Sequence, residues 1–202
     1  MKTYSLLTGL VVSLALTATA QENKGIIAEG GDPDDRASAR VLYWDQKADA
    51  SAGWFSIDYG RPVWKKDYED PAKFDGMTKG KVWRMGSNHW TTLDTSLPLK
   101  ISGKSVAIGS YFLGLKRSAD GARWSLAFID PAAVRKARID AFDIRKAAVR
   151  FDAPMSVEKS TATADKLTIT LSYPKENIKH VTMKLAWGNF VLTAPIEAAL
   201  AE

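Results

Sequence analysis

Two short segments gather most of the groups able to do chemistry. Asp58-Tyr59-Gly60-Arg61-Pro62 and Val82-Trp83-Arg84-Met85-Gly86-Ser87-Asn88-His89-Trp90-Thr91-Thr92 set rings, guanidinium groups, an amide, an imidazole and hydroxyls at strand ends and turns. In a functional reading, Tyr59, Arg61, Arg84, Asn88, His89, Trp90 and Thr91 form a ligand-binding set, a concave polar patch with Tyr59 and Trp90 as aromatic walls. In a structural reading, Arg84 pairs with Asp58 or Asp94 at a sheet end, Gly86 supplies a backbone conformation closed to other residues, and Asn88 closes an Asx turn. The sequence favours Arg84 as a structural group and His89 and Trp90, lifted by the turn-forming Gly86-Ser87-Asn88, as the groups open to a partner.

His89 is the candidate catalytic residue, because an imidazole has the right ordinary acidity for acid or base work at neutral pH. No nucleophile stands beside it in sequence. Gly-x-Ser-x-Gly, His-Glu-x-x-His, phosphate-loop and dinucleotide patterns are all absent, so no standard hydrolase or nucleotide enzyme is supported. Only two histidines, His89 and His180, are present, which argues against an imidazole-based metal centre. No cofactor and no metal ligands are assigned, and a carboxylate-rich calcium site stays open as an alternative. Asp32, Asp34 and Asp35 lack the spacing and closing glutamate of a calcium loop.

The ordered series Tyr59-x-Arg61-Pro62, then Val82-Trp83-Arg84-x-Gly86-x-Asn88-x-x-Thr91, then Gly103-Lys104, then Gly109-Ser110-Tyr111, then a strand at Trp124 resembles the bacterial domain-of-unknown-function family 2911. The resemblance covers about residues 53–196, with Ala186-Trp187 where relatives carry a tryptophan near the last strands. It implies an exported protein and assigns no reaction. Where relatives continue from the asparagine with a glutamate and a small residue, this chain has His89 and Trp90. The glycine-arginine that follows the first proline in relatives has no counterpart in Trp64-Lys65-Lys66-Asp67-Tyr68.

From about Arg40 onward the hydrophobic period is two, as strands with one buried face require. Tyr111, Leu113 and Leu115 alternate up to the turn Ser118-Ala119-Asp120-Gly121, and Trp124, Leu126 and Phe128 alternate after it, which predicts a hairpin. Leu167 to Tyr173 and Val181 to Trp187 predict a second antiparallel pair around Pro174-Lys175-Glu176-Asn177, and Gly188-Asn189 predicts a turn into a further strand, Phe190 to Pro195. Further strands are expected at 41–46, 53–59, 81–85, 91–101 and 147–153, and one short helix from Asp130-Pro131 to about Arg138. The expected fold class is all-β, an antiparallel β-sandwich of jelly-roll-like type with one short helix, an open barrel being the alternative. Trp124 and Trp187 fall in phase with apolar neighbours and belong to its core.

Lys2, the apolar run Leu6 to Leu16 and the small residues Ala18-Thr19-Ala20 read as a cleavable signal peptide over residues 1–20. Residues 21–38 read as a flexible leader and 39–202 as a single domain. With no cysteine, neither a disulfide nor a lipoprotein thioether is available. These features place the protein in the periplasm or outside the cell, with no stable membrane anchor after cleavage. The formal charge of +5 and the basic run Arg135-Lys136-Ala137-Arg138, diluted by Asp140 and Asp143, do not make a nucleic-acid interface. The expected role is a binding or structural module of the cell envelope, its partner a glycan or other small molecule. The alternative is an enzyme using His89 as acid or base.

Overall fold

The computed structural model describes residues 25–28, 30–31 and 34–200, the side chains of Lys159 and Thr161 excepted. The expected signal peptide and much of the leader lie outside the described residues. Two units are distinguished, Met1–Pro33 and Asp34–Glu202. The described part of the first is exposed coil with glycines at positive φ. All elements belong to the second.

Among the described residues ten antiparallel strands run in chain order: β1 (Arg36–Asp45), β2 (Ala50–Gly60), β3 (Val82–Arg84), β4 (Thr91–Thr95), β5 (Leu99–Ile101), β6 (Lys104–Val106), β7 (Gly109–Arg117), β8 (Trp124–Ile129), β9 (Val149–Ser172) and β10 (His180–Ala198). Their order is β1-β2-β4-β7-β8-β9-β10-β5-β6, with β3 also on β7. The all-β antiparallel sandwich is present, as the alternation requires. One layer runs from β1 to the first half of β9, and the other from the second half of β9 to β6. Inward residues of both, among them Phe55, Ile57, Leu93, Leu115, Leu126, Leu167, Met183 and Leu185, make one buried core. β3 and β4 lie end to end along β7, pairing with Gly114–Lys116 and Gly109–Leu113. The loop 85–90 is thus an excursion from a single interrupted strand.

Several elements differ from the sequence expectation. β1 begins at Arg36, inside the stretch read as leader, because its period-two pattern continues back through Arg40, Ser38 and Arg36 opposite β2. Gly188-Asn189 does not turn the chain: β10 runs unbroken from His180 to Ala198. The irregularity there is taken up by β9, where the four steps Ala164 to Thr168 face the two from Gly188 to Ala186. Such extra residues free backbone groups from the ladder. Here they are used by the chain leaving β2: Trp64 N–H donates to Asp165 O at 2.7 Å and Leu167 N–H to Pro62 O at 3.0 Å.

Among the described residues there are two short α-helices rather than one. α2 (Pro131–Ala137) is the expected helix, with Asp130 accepting from Ala132 N–H at 2.8 Å. α1 (Pro71–Thr78) carries the same signal, proline at its start and Asp70 accepting from Ala72 N–H at 2.9 Å. Between β2 and β3, α1 brings Phe74 to an aromatic cluster whose centre is Trp187. Trp64, Tyr68 and Trp83 lie 4.9, 5.0 and 5.0 Å from Trp187, and Phe74 and Trp124 each adjoin Phe190. Trp187 Nε1–H donates to Pro62 O at 2.9 Å, so the buried indole is satisfied. Gly188 has φ +60°, and a Cβ there would occupy the space of the Trp64 ring.

α2 and a 3-10 turn at Ala141–Lys146 cover the outer side of β7 and β8. Phe112, Ile129, Val134, Ile144 and Ala147 form a second small core beneath them. Tyr111 through Leu115 are therefore buried on both faces of β7.

Two outcomes follow. Both Trp124 and Trp187 are buried as expected, and Trp187→Ala should lower stability by about 3–5 kcal/mol, the range for emptying a large aromatic site, measured by chemical denaturation. The second concerns Tyr43, whose hydroxyl donates to Ile178 O at 3.0 Å. Burial, with a smaller contribution from the charge of Tyr173, pushes its phenol up to about 12. The native state then holds this proton more tightly than the unfolded chain, so the stabilisation is complete below about pH 10 and is lost as the pH climbs through about 12. Urea midpoints from pH 9 upward should fall, and the fall should be smaller in Tyr43→Phe.

Candidate functional site

The sequence-predicted residues do not converge on one patch. Tyr59 is only 3% exposed. Its side chain faces inward with Phe55 and Ile57, and its hydroxyl accepts from Ile169 N–H at 2.8 Å and donates to Ile169 O at 3.3 Å. It ties one layer to the other and walls no open surface. Thr91 is buried as well, its hydroxyl donating to Met85 O across the base of the loop. Trp90 stacks on Phe112 at 4.7 Å and 10° against the second core. The ring expected to be free for a partner is thus half-buried packing, because α2 and the 3-10 turn make the outer face of β7 apolar.

Arg84 pairs with neither Asp58 nor Asp94. Asp58 is held by Arg36, whose Nε–H donates to it at 2.9 Å and whose Nη2 also reaches Trp90 O at 3.2 Å. Asp94 accepts from the Ser110 hydroxyl. Arg84 instead donates from Nη1 to Asn88 O at 3.0 Å and sets its Cζ over the Phe142 ring, 4.0 Å from the centroid. Arg61 is drawn the other way, to Leu167 O at 3.4 Å and to Asp35 at 4.0 Å. Lys166 also pairs with Asp35 at 2.6 Å, and its hydrogen bond holds the Asp35 carboxyl below the usual range.

Asn88 and His89 remain at the loop tip, facing Asp34. Asn88 Nδ2 donates to Asp34 Oδ1 at 2.6 Å, and His89 Nε2 is 3.5 Å from Oδ2. Asn88 holds a positive φ of 60°, which asparagine tolerates better than most residues. The loop rests on Gly60, where a Cβ would fall inside the radius of the Ser87 carbonyl oxygen. The His89 side chain is 78% exposed, and it lines neither of the two clefts described below. Among the described residues, no group of three or more histidine, aspartate or glutamate side chains could hold a metal ion.

A different surface has the composition of a binding platform. The register sets Arg40, Ser56, Asp94 and Ser110 in one row across the outward side of β1, β2, β4 and β7, with Leu42 opposite Trp54 in the next row. Trp44 continues this face along β1. Trp44 and Trp54 are 51% and 36% exposed, and Leu42 is exposed between them. Residues of this kind standing together on a sheet face commonly mark an interaction surface. The signal was present in sequence: Phe55, Ile57 and Tyr59 point inward, so Trp54, Ser56 and Asp58 must point out.

The structure defines an antiparallel β-sandwich domain with an open, aromatic-bordered outer face. A family model described as protein of unknown function (DUF2911) matches residues 45–196, and the chain belongs to that family. No curated protein and no solved structure matches it.

Arg36 rather than Arg84 is the partner of Asp58. A double-mutant cycle on Arg36 and Asp58 should give a coupling of about 0.5–1 kcal/mol for this partly exposed pair. The same cycle on Arg84 and Asp58 should give none within error.

Proposed function

We propose that the protein is an exported binding module of the cell envelope that holds a glycan on the outward face of β1, β2 and β4. The observation that carries this reading is the pair of exposed indoles, Trp44 and Trp54, beside the polar row Arg40, Ser56 and Asp94. A sugar ring presents a face of C–H groups, which packs on an indole, and a rim of hydroxyls, which needs both donors and acceptors. Arg40 donates, Asp94 accepts and Ser56 does either. The paired strands hold these groups in place before a ligand arrives, so little ordering entropy opposes binding. The signal-peptide pattern of residues 1–20 supports export to where envelope glycans occur.

The Asp34 and His89 pair favours the enzymatic alternative, since a carboxylate beside an imidazole is a common way to orient a base. The binding reading stands ahead of it because the pair sits at an exposed loop tip, the His89 side chain being 78% exposed.

The test is binding of soluble cell-wall oligosaccharides and neutral glycans, read by calorimetry. Trp54→Ala and Trp44→Ala should each weaken binding by about 10-fold or more, as loss of a stacking ring at an interface centre does. Their melting temperatures should stay near that of the parent, because both rings are exposed. Binding that survives both changes, or that is lost in His89→Ala instead, would reject the reading.

A further inference from the structure

A cleft of about 410 Å³ opens between α1, β3 and the 3-10 turn 141–146. Its lining contains three cationic side chains, Lys81, Arg84 and Arg145, and no acidic one. Among the described residues, none of the three makes a salt bridge, although nine such bridges occur elsewhere. Three cations gathered without a carboxylate repel one another, and an anion between them relieves that repulsion.

Two of the nearby acids are paired with other cations. Asp75 takes Arg117 at 2.6 Å, and Asp143 takes Lys146 at 2.8 Å. Asp140 acts on Arg84 from a distance while its carboxylate accepts from Phe142 N–H at 2.8 Å. Burial holds the Arg84 guanidinium below its ordinary value, with Asp140 opposing that shift, which marks a charge partly stripped of water. Lys81 donates to the Gly76 carbonyl, which fixes its ammonium at the cleft wall.

The aromatic part is equally specific. Trp83 turns inward and stacks on Trp187, so its neighbour Arg84 must emerge outward into the cleft. Phe142 is 72% exposed with Arg84 over one face of its ring. Only Nη1 of Arg84 is engaged, by Asn88 O, so the other N–H groups of the guanidinium remain for an oxyanion.

We propose that this cleft is a binding site for a small phosphate monoester carrying a planar ring, with Arg84 and Arg145 on the phosphate and Phe142 beside the ring. Three cations suit a doubly charged group better than a single carboxylate. The cleft lies in the range of about 300–1,000 Å³ usual for small-molecule sites. The site is separate from the glycan face, on the far side of the 85–90 loop, and does not depend on it.

The experiment is calorimetric titration of the purified protein with phenyl phosphate, inorganic phosphate and benzoate. Phenyl phosphate should bind most tightly, inorganic phosphate more weakly and benzoate most weakly. Arg145→Ala alters an exposed side chain and leaves folding intact, and it should weaken phenyl phosphate by about 10-fold. Arg84→Lys keeps the charge and loses the fork, and should weaken it to a similar extent. Phe142→Ala should weaken phenyl phosphate while leaving inorganic phosphate unchanged. Arg123→Ala serves as control, because it lies in a different basic cleft with Lys104 and Lys116. The proposal is overturned if Arg145→Ala leaves binding unchanged, if Arg123→Ala weakens it as much, or if benzoate binds as well as phenyl phosphate.

Discussion

The buried indole of Trp187 is the constraint on which the arrangement depends. Its Nε1–H needs an acceptor in an apolar surrounding, and Pro62 O supplies one at 2.9 Å. That bond fixes where the chain leaves β2. Gly188 must then lack a side chain so that Trp64 can lie across the indole, and Tyr68 and Phe74 follow from the same connection. Trp83 stacks on the same indole at 5.0 Å and 22°. A strand whose inward residue is pinned has its outward residue pinned too. Arg84 therefore faces the 3-10 turn rather than the carboxylates of β2 and β4.

β9 is the second consequence. A strand of 24 residues cannot remain in one flat layer without exposing its apolar face, and it serves both layers instead. Its first part pairs with β8 and its later part with β10. The extra residues near Ala164 provide the bend and release Asp165 and Leu167 to bind the chain around Pro62 and Trp64. Tyr59 completes the closure by bonding both backbone groups of Ile169. The core is thus sealed by hydrogen bonds from side chains and irregular backbone, with no disulfide available.

Most strands were legible because period two survives in each of them. The pairing of β7 with β8, and of Leu171 with Met183, follows from alternation and turn chemistry alone. α1 was legible too, since Asp70-Pro71 repeats the Asp130-Pro131 signal, but Gly76 and a weakly apolar helix face obscured it. Gly188 illustrates what local reading misses. Glycine with positive φ serves a turn or a close approach equally well, and only the position of Trp64 distinguishes them. Trp90 was misread for a similar reason: whether its ring is free depends on Phe112, which β7 exposes outward only to be covered by α2 and the turn. The partner of Arg84 was invisible because Arg36 already holds Asp58. Alternation with Phe55 and Ile57 sets Trp54 outward, but whether an outward ring on this face stays uncovered depends on the neighbouring elements.

The central claim is that the inward aromatic cluster is structural while the two outward indoles on β1 and β2 receive ligand. The seven tryptophans give seven indole N–H signals in a nitrogen-15 correlation spectrum of the labelled protein. During titration with soluble cell-wall oligosaccharides, the account predicts that the signals of Trp44 and Trp54 move together and saturate while that of Trp187 stays fixed. Movement of the Trp90 signal with Trp44 and Trp54 unmoved, or no movement of any indole, would contradict it.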